Sequence, residues 1–411
     1  MSPMKRLDCE YKDLSAPFRL QERDYYRQFF NLYAVRLNKM REWLLACVEK
    51  KWGKISILYR LTDLKEGDDS CICVGTLFKH QELKPSILKE LNQLMPLPKR
   101  THFVSDEDKL ILEDELQRMP LIGSLNVHEL VTGCVVAVLG KPSTGGKFQV
   151  EDPLACLKDL FLSFRLLVLV SGFDLVGSSD SVFPIELFID WATGLIGNPA
   201  DQSRIVRVIV AGNSFRSQSE PEADIFAKTN CNVEFLQTSV DVELMPGAFD
   251  PTNNSLPQQP LHFCMFPKAS KNITFHGATN PHMFELGSRL VVGTSGQSVA
   301  DITAFSKIED PLVALEKTLE WGHLMPTAPD TLACYPFYKE DPFIMNNKPD
   351  IYFVGNQDSF QTKLVNSSDE DSPTRLVCVP KFATTFTCAV VNLATLDCYP
   401  VSFNVKKVTT G

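Results

Sequence analysis

The chain has 411 residues, more than one ordinary domain holds, and its 44% hydrophobic content is ample for packed cores, which excludes a disordered protein. A formal net charge of −9 and a pI near 5.4 argue against a chain that grips duplex DNA unaided, because such proteins carry a basic face. The opening Met1-Ser-Pro-Met-Lys-Arg lacks an apolar core, and no apolar run nears the roughly 18–20 residues of a membrane span, so a soluble intracellular protein is expected.

Residues 1–22 read as a tail. Tyr26, Phe29, Phe30, Tyr33, Leu37, Met40, Leu44 and Cys47 then recur at spacings of three and four, predicting a helix with one apolar face. Short alternating segments follow at Lys54–Tyr59, Ser70–Phe78, Phe103–Val104, Leu110–Leu112, Gly123–Leu125, Cys134–Gly140 and Gly146–Val150. A helix-like stretch at Lys84–Asn92, with Pro85 in its first turn, interrupts them. Short strands, one inserted helix and frequent turns predict a small closed barrel of the oligonucleotide/oligosaccharide-binding (OB) type over 23–153. Glu151-Asp-Pro153 reads as the hinge to a second domain, 154–411.

In that second part, apolar strands run into small polar turns: Leu166–Gly172, Ile205–Asn213, Val242–Gly247 and Ile351–Asn356. Helical patterns at Phe183–Thr193, Pro311–Gly322 and Glu222–Lys228 alternate with them, which predicts a mixed α/β fold with a largely parallel sheet. Leu376–Pro380, Thr387–Leu393 and Tyr399–Val405 read as a closing antiparallel run, after a solvated acidic loop at 366–373. Strand ends of this kind are where α/β enzymes place their ligands, yet these carry almost no histidine and few carboxylates.

Several motifs fail as catalytic sites. Gly140-Lys-Pro-Ser-Thr-Gly-Gly-Lys147 lacks the Gly-Lys-Ser/Thr ending of a phosphate loop and is predicted to be a hairpin turn. Gly293-Thr-Ser-Gly-Gln297 lacks the spacing of a nucleophile elbow, and no histidine can be assigned as its base. Asp250, Asp330 and Asp341 are too scattered to make a cation site and are expected to cap turns beside their prolines. The aromatics Tyr335, Phe337, Tyr338 and Phe343 either bury against a core or form a partner surface. Twelve cysteines show no zinc spacing; Cys47, Cys134, Cys264, Cys378 and Cys388 sit among apolar neighbours, as buried free thiols do.

A set of strings together resembles the B-subunit family of replicative DNA polymerases, in its polymerase delta branch. They are Ser15-Ala-Pro-Phe-Arg-Leu20, Val74-Gly-Thr-Leu-Phe-Lys79, Leu112-Glu-Asp-Glu-Leu-Gln-Arg118, Pro246-Gly-Ala-Phe-Asp-Pro-Thr-Asn253, Pro257-Gln-Gln-Pro-Leu-His262, Gly293-Thr-Ser-Gly-Gln297, Pro326-Thr-Ala-Pro-Asp-Thr331, Tyr335-Pro-Phe-Tyr338 and Asp341-Pro-Phe343. The resemblance implies an OB-type barrel followed by a calcineurin-like metallophosphoesterase αββα sandwich that lacks its metal site. An active relative needs imidazoles and a bridging carboxylate to hold two cations. Here the four positions read Phe173-Asp174-Leu175-Val176, Ala211-Gly212-Asn213-Ser214, Pro246-Gly-Ala-Phe-Asp250 and Gly355-Asn-Gln-Asp358, while His262, His276, His282 and His323 lie elsewhere. No catalytic, cofactor-binding or metal residues are therefore assigned, and no cofactor.

The resemblance further implies a nuclear accessory subunit of the polymerase delta complex, acting in DNA replication and repair. Its partners would be the C-terminal metal-binding module of the catalytic subunit and a third subunit, with the sliding clamp reached indirectly and DNA through the complex. Two rival functions remain: an active metallophosphoesterase, and a single-strand DNA-binding barrel. The second has Lys79, Lys84, Lys89, Lys99 and Arg100 to draw on, offset by Glu82, Glu90 and the run Asp106–Glu115. Family members are expected to carry a long helix between Asn213 and Val242. Here that interval is short and holds the helix-breaking Ser217-Gln-Ser-Glu-Pro221, as an alternative transcript or an incomplete gene model would.

Overall fold

A computed structural model describes residues 6–21, 24–53, 55–58, 60–64, 69–85, 101–143, 145–154, 165–175, 182–215, 240–365 and 373–403. Most of the expected helix at 84–92, the whole of that at 222–228 and most of the acidic loop lie outside these residues. The chain divides into two compact units. One gathers Asp24–Leu157 with Ser298–Asn346; the other gathers Met1–Arg23, Lys158–Gln297 and Asn347–Gly411. No described helix is long and apolar enough to cross a membrane.

The first strand, β1 (Tyr11–Asp13), belongs to the second unit and corrects the reading of residues 1–22 as a tail. In the barrel unit, β2 (Ile57–Leu58), β3 (Cys71–His80), β4 (Lys109–Glu113), β5 (Arg118–Gly123), β6 (Val135–Ser143) and β7 (Lys147–Leu154) form one sheet, ordered β2-β3-β4-β5-β7-β6. β6 returns to pair antiparallel with β3, from Cys71 opposite Gly140 to Thr76 opposite Val135, so five strands close on themselves. Strand alternation explains the closure: Ile72, Val74, Val135 and Ala137 face the helix Phe30–Trp52, while Cys73, Leu77, Val136 and Val138 are buried on the other face.

Within the barrel, Gly145 and Gly146 adopt φ of +79° and +69° in the β6–β7 hairpin, the left-handed conformation that glycine reaches without strain. Two sequence expectations shift. The strand placed at Gly123–Leu125 lies at Arg118–Gly123, because the Asp114 carboxylate accepts from the Leu116 and Gln117 N–H groups and fixes the β4–β5 turn earlier. Phe103–Val104 is not a strand; the Phe103 ring stacks on Phe305 at 4.9 Å.

The helix Phe30–Trp52 begins later than its periodicity suggested. Leu37, Met40 and Leu44 are buried, but Tyr26 and Phe30 are 100% and 60% exposed. The single junction expected after residue 153 is also corrected, because 298–346 returns to the barrel unit. Ile344 joins the core formed by Leu37, Leu44 and Val74, and the Arg36 guanidinium binds the Pro326 and Ala328 carbonyls at 2.9 and 2.8 Å. This segment also holds the helix Pro311–Glu320, opened by Asp310, whose carboxylate accepts from the Leu312 N–H.

Among the described residues the second unit contains two six-stranded sheets. In one, β8 (Leu166–Val170), β9 (Ile205–Ala211), β10 (Asp241–Met245) and β11 (Phe275–Gly277) run parallel, continued at the β8 edge by antiparallel β17 (Thr387–Asn392) and β18 (Cys398–Ser402). In the other, β12 (His282–Leu286), β13 (Arg289–Thr294), β14 (Ile351–Gln357), β15 (Gln361–Val365) and β16 (Thr374–Pro380) join β1 in the order β1-β12-β13-β14-β16-β15. Leu167, Ile209 and Ala389 from the first sheet and Phe284, Phe353 and Val377 from the second share one core. The expected closing antiparallel run is therefore split: β16 and β17 lie in different sheets, each turning apolar residues into that core. On the outer face of the first sheet, the helix Val182–Thr193 packs through Ile185, Phe188 and Ile189.

Candidate functional site

Parallel strands deliver their carboxyl ends to one side of a sheet, and ligands of α/β folds sit there. In the second unit the loops after β8, β9, β10, β13 and β14 converge in this way. Gly172 N–H donates to the Gly212 carbonyl at 2.9 Å. A Cβ on Gly212 would stand 2.5 Å from the Ser295 Cβ and 2.9 Å from the Gly247 Cα; one on Gly355 would stand 2.5 Å from the Ala211 carbonyl oxygen. These loops pack backbone against backbone.

Neutral amides fill the meeting point. Asn356, held at φ +60°, donates from Nδ2 to the Ala211 and Ser295 carbonyls at 3.0 and 2.8 Å. Asn213, at φ +53°, accepts the Phe249 N–H. Asn280 Nδ2 donates to Gln258 Oε1 at 2.8 Å and Ser295 Oγ at 2.6 Å, and its Oδ1 accepts the Ser295 N–H at 3.1 Å. Gln297 closes the ring, accepting from Ser295 Oγ and donating to Gln258. Ser295 is thus bonded to amides rather than to an imidazole, and Gly293–Gln297 is a strand end leading into a helix.

The carboxylate of Asp250 is buried among three backbone donors: Phe215 N at 3.0 Å, Gly247 N at 2.9 Å and Ser214 N at 3.3 Å. Burial pushes its pKa up to about 6 against the pull of those N–H groups. The other two candidate aspartates belong to the barrel unit. Asp330 pairs with Lys84 at 2.5 Å, and Asp341 meets Arg36 and His323 while accepting the Phe343 N–H at 3.0 Å. Of the three, Asp250 and Asp341 brace the turn around their prolines, as expected.

The histidines are dispersed. His282 is buried with Nδ1 2.7 Å from Ser15 Oγ, His276 lies 3.7 Å from Asp241, and His262 braces its own turn through the Cys264 N–H. Among the described residues no three histidine, cysteine or acidic side chains gather as metal ligands. A donor set of neutral amides around one backbone-saturated carboxylate does not fit a pair of divalent cations, which need anionic bridging ligands. Nine described cysteines are free thiols; Cys134, Cys378 and Cys388 are buried as expected, but Cys264 is exposed and Cys47 is disulfide-bonded, contrary to their reading as buried free thiols.

Sequence reasoning named Asn213, Asp250 and Asn356 but missed Gln258, Asn280 and Gln297 as one cluster. The signal was available in Pro257-Gln-Gln and Gly-Thr-Ser-Gly-Gln297, polar strings with no charge to explain them. The close packing has a testable consequence. Gly212 has φ +82°, so Gly212→Ala imposes both backbone strain and a clash. A loss of about 3 kcal/mol is expected, seen as a fall in Tm on the order of 10 °C. A melting curve unchanged from the parent would show that these loops do not pack as described.

Residues 28–153 match the family model of the DNA polymerase delta subunit OB-fold domain, and residues 167–362 match that of the DNA polymerase alpha/epsilon B-subunit. The chain is 45% identical to DNA polymerase delta subunit 2 of Drosophila melanogaster, over 97% of this chain and 99% of the relative. It is 38% identical to the DNA polymerase delta small subunit of rice, Oryza sativa subsp. japonica, over 98% and 99%, and 30% identical to that of Saccharomyces cerevisiae, over 97% and 94%. The fly alignment extends over 430 positions, more than the 411 residues of this chain, so that relative carries residues this chain lacks.

Proposed function

The chain belongs to the family of DNA polymerase delta small subunits, non-catalytic accessory components of that polymerase complex, and we propose that it acts there as a scaffold built on a disarmed enzyme fold. The second unit is read as a calcineurin-like phosphoesterase sandwich in which amides have replaced the ligands of two metal ions. The observation that carries this reading is the ring of Asn280, Ser295, Gln297 and Gln258 beside Asn356, set at the strand ends where an active relative would coordinate its cations. Within the ring of Gln258, Asn280, Ser295 and Gln297 the side chains bond one another and have little left to offer a substrate, and only Oδ1 of the adjacent Asn356 is buried without a partner among the cluster's side chains.

The partners in this reading are the C-terminal metal-binding module of the catalytic subunit and a third subunit, with the sliding clamp reached through the latter and DNA through the complex. The compartment is the nucleus, and the processes are replication and repair. Binding energy would come from apolar patches with polar rims rather than from any stabilised transition state.

Co-expression of this chain with the catalytic subunit's C-terminal module tests the proposal. The two are expected to co-elute in equal amounts, while the purified chain given manganese leaves a chromogenic phosphodiester intact. Separate elution, or phosphodiester cleavage with stoichiometric bound metal, would overturn the scaffold reading.

A further inference from the structure

The barrel unit carries a surface that its own core does not explain. A cavity of about 400 Å³ opens between the start of the helix Phe30–Trp52 and strands β3 to β5. Its apolar wall is made by Phe30, Tyr33, Leu37, Leu77 and Phe78. At its mouth Phe30 is 60% exposed, and Tyr26 and Phe29 beside it in sequence are 100% and 40% exposed. Leu116, in the turn that follows Glu115, is 65% exposed. Large apolar side chains bared together in this way mark interaction sites more often than they mark solvated surface.

The charge around the cavity is mostly negative. Among the described residues four carboxylates line it, from Glu113, Asp114, Glu115 and Asp330, against a single cation, Arg118. That cation is already engaged, with Nε 2.8 Å from Glu113 and its guanidinium 5.2 Å from the Phe78 ring centre. Lys84 occupies Asp330. Asp114 accepts the N–H groups of Leu61, Leu116 and Gln117, so it holds the turn. Glu115 is exposed and, among the described residues, meets an amide rather than a cation, Asn38 at 3.3 Å, which leaves it open to an incoming positive charge.

Exposed aromatics on an OB barrel invite a comparison with single-stranded nucleic acid, whose bases stack on such rings. Nucleic acid would also need free cations along its backbone, whereas here Arg118 and Lys84 are already paired and Asp114 and Glu115 leave an excess of negative charge that repels phosphate. Resting on the scaffold reading above, we propose that this cavity receives a basic peptide segment of another subunit of the polymerase complex, one that inserts a bulky apolar side chain between Phe30 and Phe78 and sets lysine or arginine against Glu115. The apolar anchor supplies affinity, and the acidic rim supplies register and partner choice.

The test uses the full chain assembled with the catalytic and third subunits. Phe30→p-benzoylphenylalanine places a photo-crosslinker at the mouth, and irradiation of the assembled complex followed by peptide mapping identifies what sits there. A crosslink to a segment of another subunit with an apolar residue flanked by lysine or arginine is expected. In parallel, Glu115→Lys, a change of an exposed side chain, is expected to weaken assembly roughly ten-fold at low salt, with the difference shrinking as salt screens the rim. Assembly without any intersubunit crosslink from position 30, or a crosslink only to added single-stranded DNA, would overturn the proposal while sparing the scaffold reading. Failure of the unmodified chain to assemble at all would overturn both.

Discussion

Replacing Arg36 with alanine is expected to destabilise the barrel unit by about 3–5 kcal/mol, the usual cost of breaking a buried ion pair by removing one partner. Arg36 is fully buried. Its Nε lies 2.7 Å from Asp341 Oδ2, and its two Nη atoms reach the Pro326 and Ala328 carbonyls. Asp341 is held well below the usual carboxylate range: its burial works against ionisation, but Arg36, His323 and their hydrogen bonds outweigh it. Without the guanidinium a charged carboxylate is left in the interior and two carbonyls lose their donors. Lysine is a poor substitute, because a point charge cannot fork between Asp341 and two carbonyls. Denaturant unfolding of Arg36→Ala, Asp341→Ala and the double variant measures the pair, with a coupling on the order of 2 kcal/mol expected. A single-variant loss below about 1 kcal/mol would contradict the ion-pair account.

Acid is expected to weaken both units through two neutral histidines. Burial, reinforced by the Arg36 charge, brings the His323 pKa down to about 4, and burial brings that of His282 down to about 3. In the unfolded chain each imidazole takes a proton near pH 6.5. Below that pH the unfolded state binds protons that the native state refuses. The stability is therefore fully present above 6.5 and is lost as pH falls toward 4 or 3. The full loss is about 3 kcal/mol for His323 and about 5 kcal/mol for His282. Asp250 works in the opposite sense within the second unit. Its raised pKa means that its contribution is present below about 4 and lost as pH rises through about 6, which offsets part of the His282 effect on acidification. The check is the difference in unfolding free energy between the parent and His323→Gln or His282→Gln, followed from pH 7 to pH 4. That difference should move against the parent as pH falls; parallel curves would show that the imidazoles are not buried neutral.

Much of the fold was legible because its signals are local. The short, nearly continuous apolar runs Cys71–Phe78 and Val135–Gly140 have the length and composition of strands buried on both faces, and Gly145-Gly146 marks a turn. The lack of imidazole in Gly212-Asn213-Ser214 and Gly355-Asn356-Gln357 is a fact of composition, and it needed no coordinates. Periodicity, however, gave Tyr26, Phe29 and Phe30 the same standing as Leu37, Met40 and Leu44. Spacing identifies a face but not what covers it, and here the helix starts too late to bury the first three.

From its residues alone, then, this protein's main apolar strands, its Gly145-Gly146 turn and the lack of imidazole at the strand ends were legible, since each depends on neighbours a few positions apart. Tertiary structure decided that residues 298–346 return to the barrel unit, that Arg36 meets an aspartate 305 positions away, and that Gln258, Asn280, Ser295 and Gln297 become one hydrogen-bonded ring. Those outcomes depend on which strand ends are brought together. Strand order is set by the sum of burial over two whole sheets, and no short stretch of sequence encodes that sum.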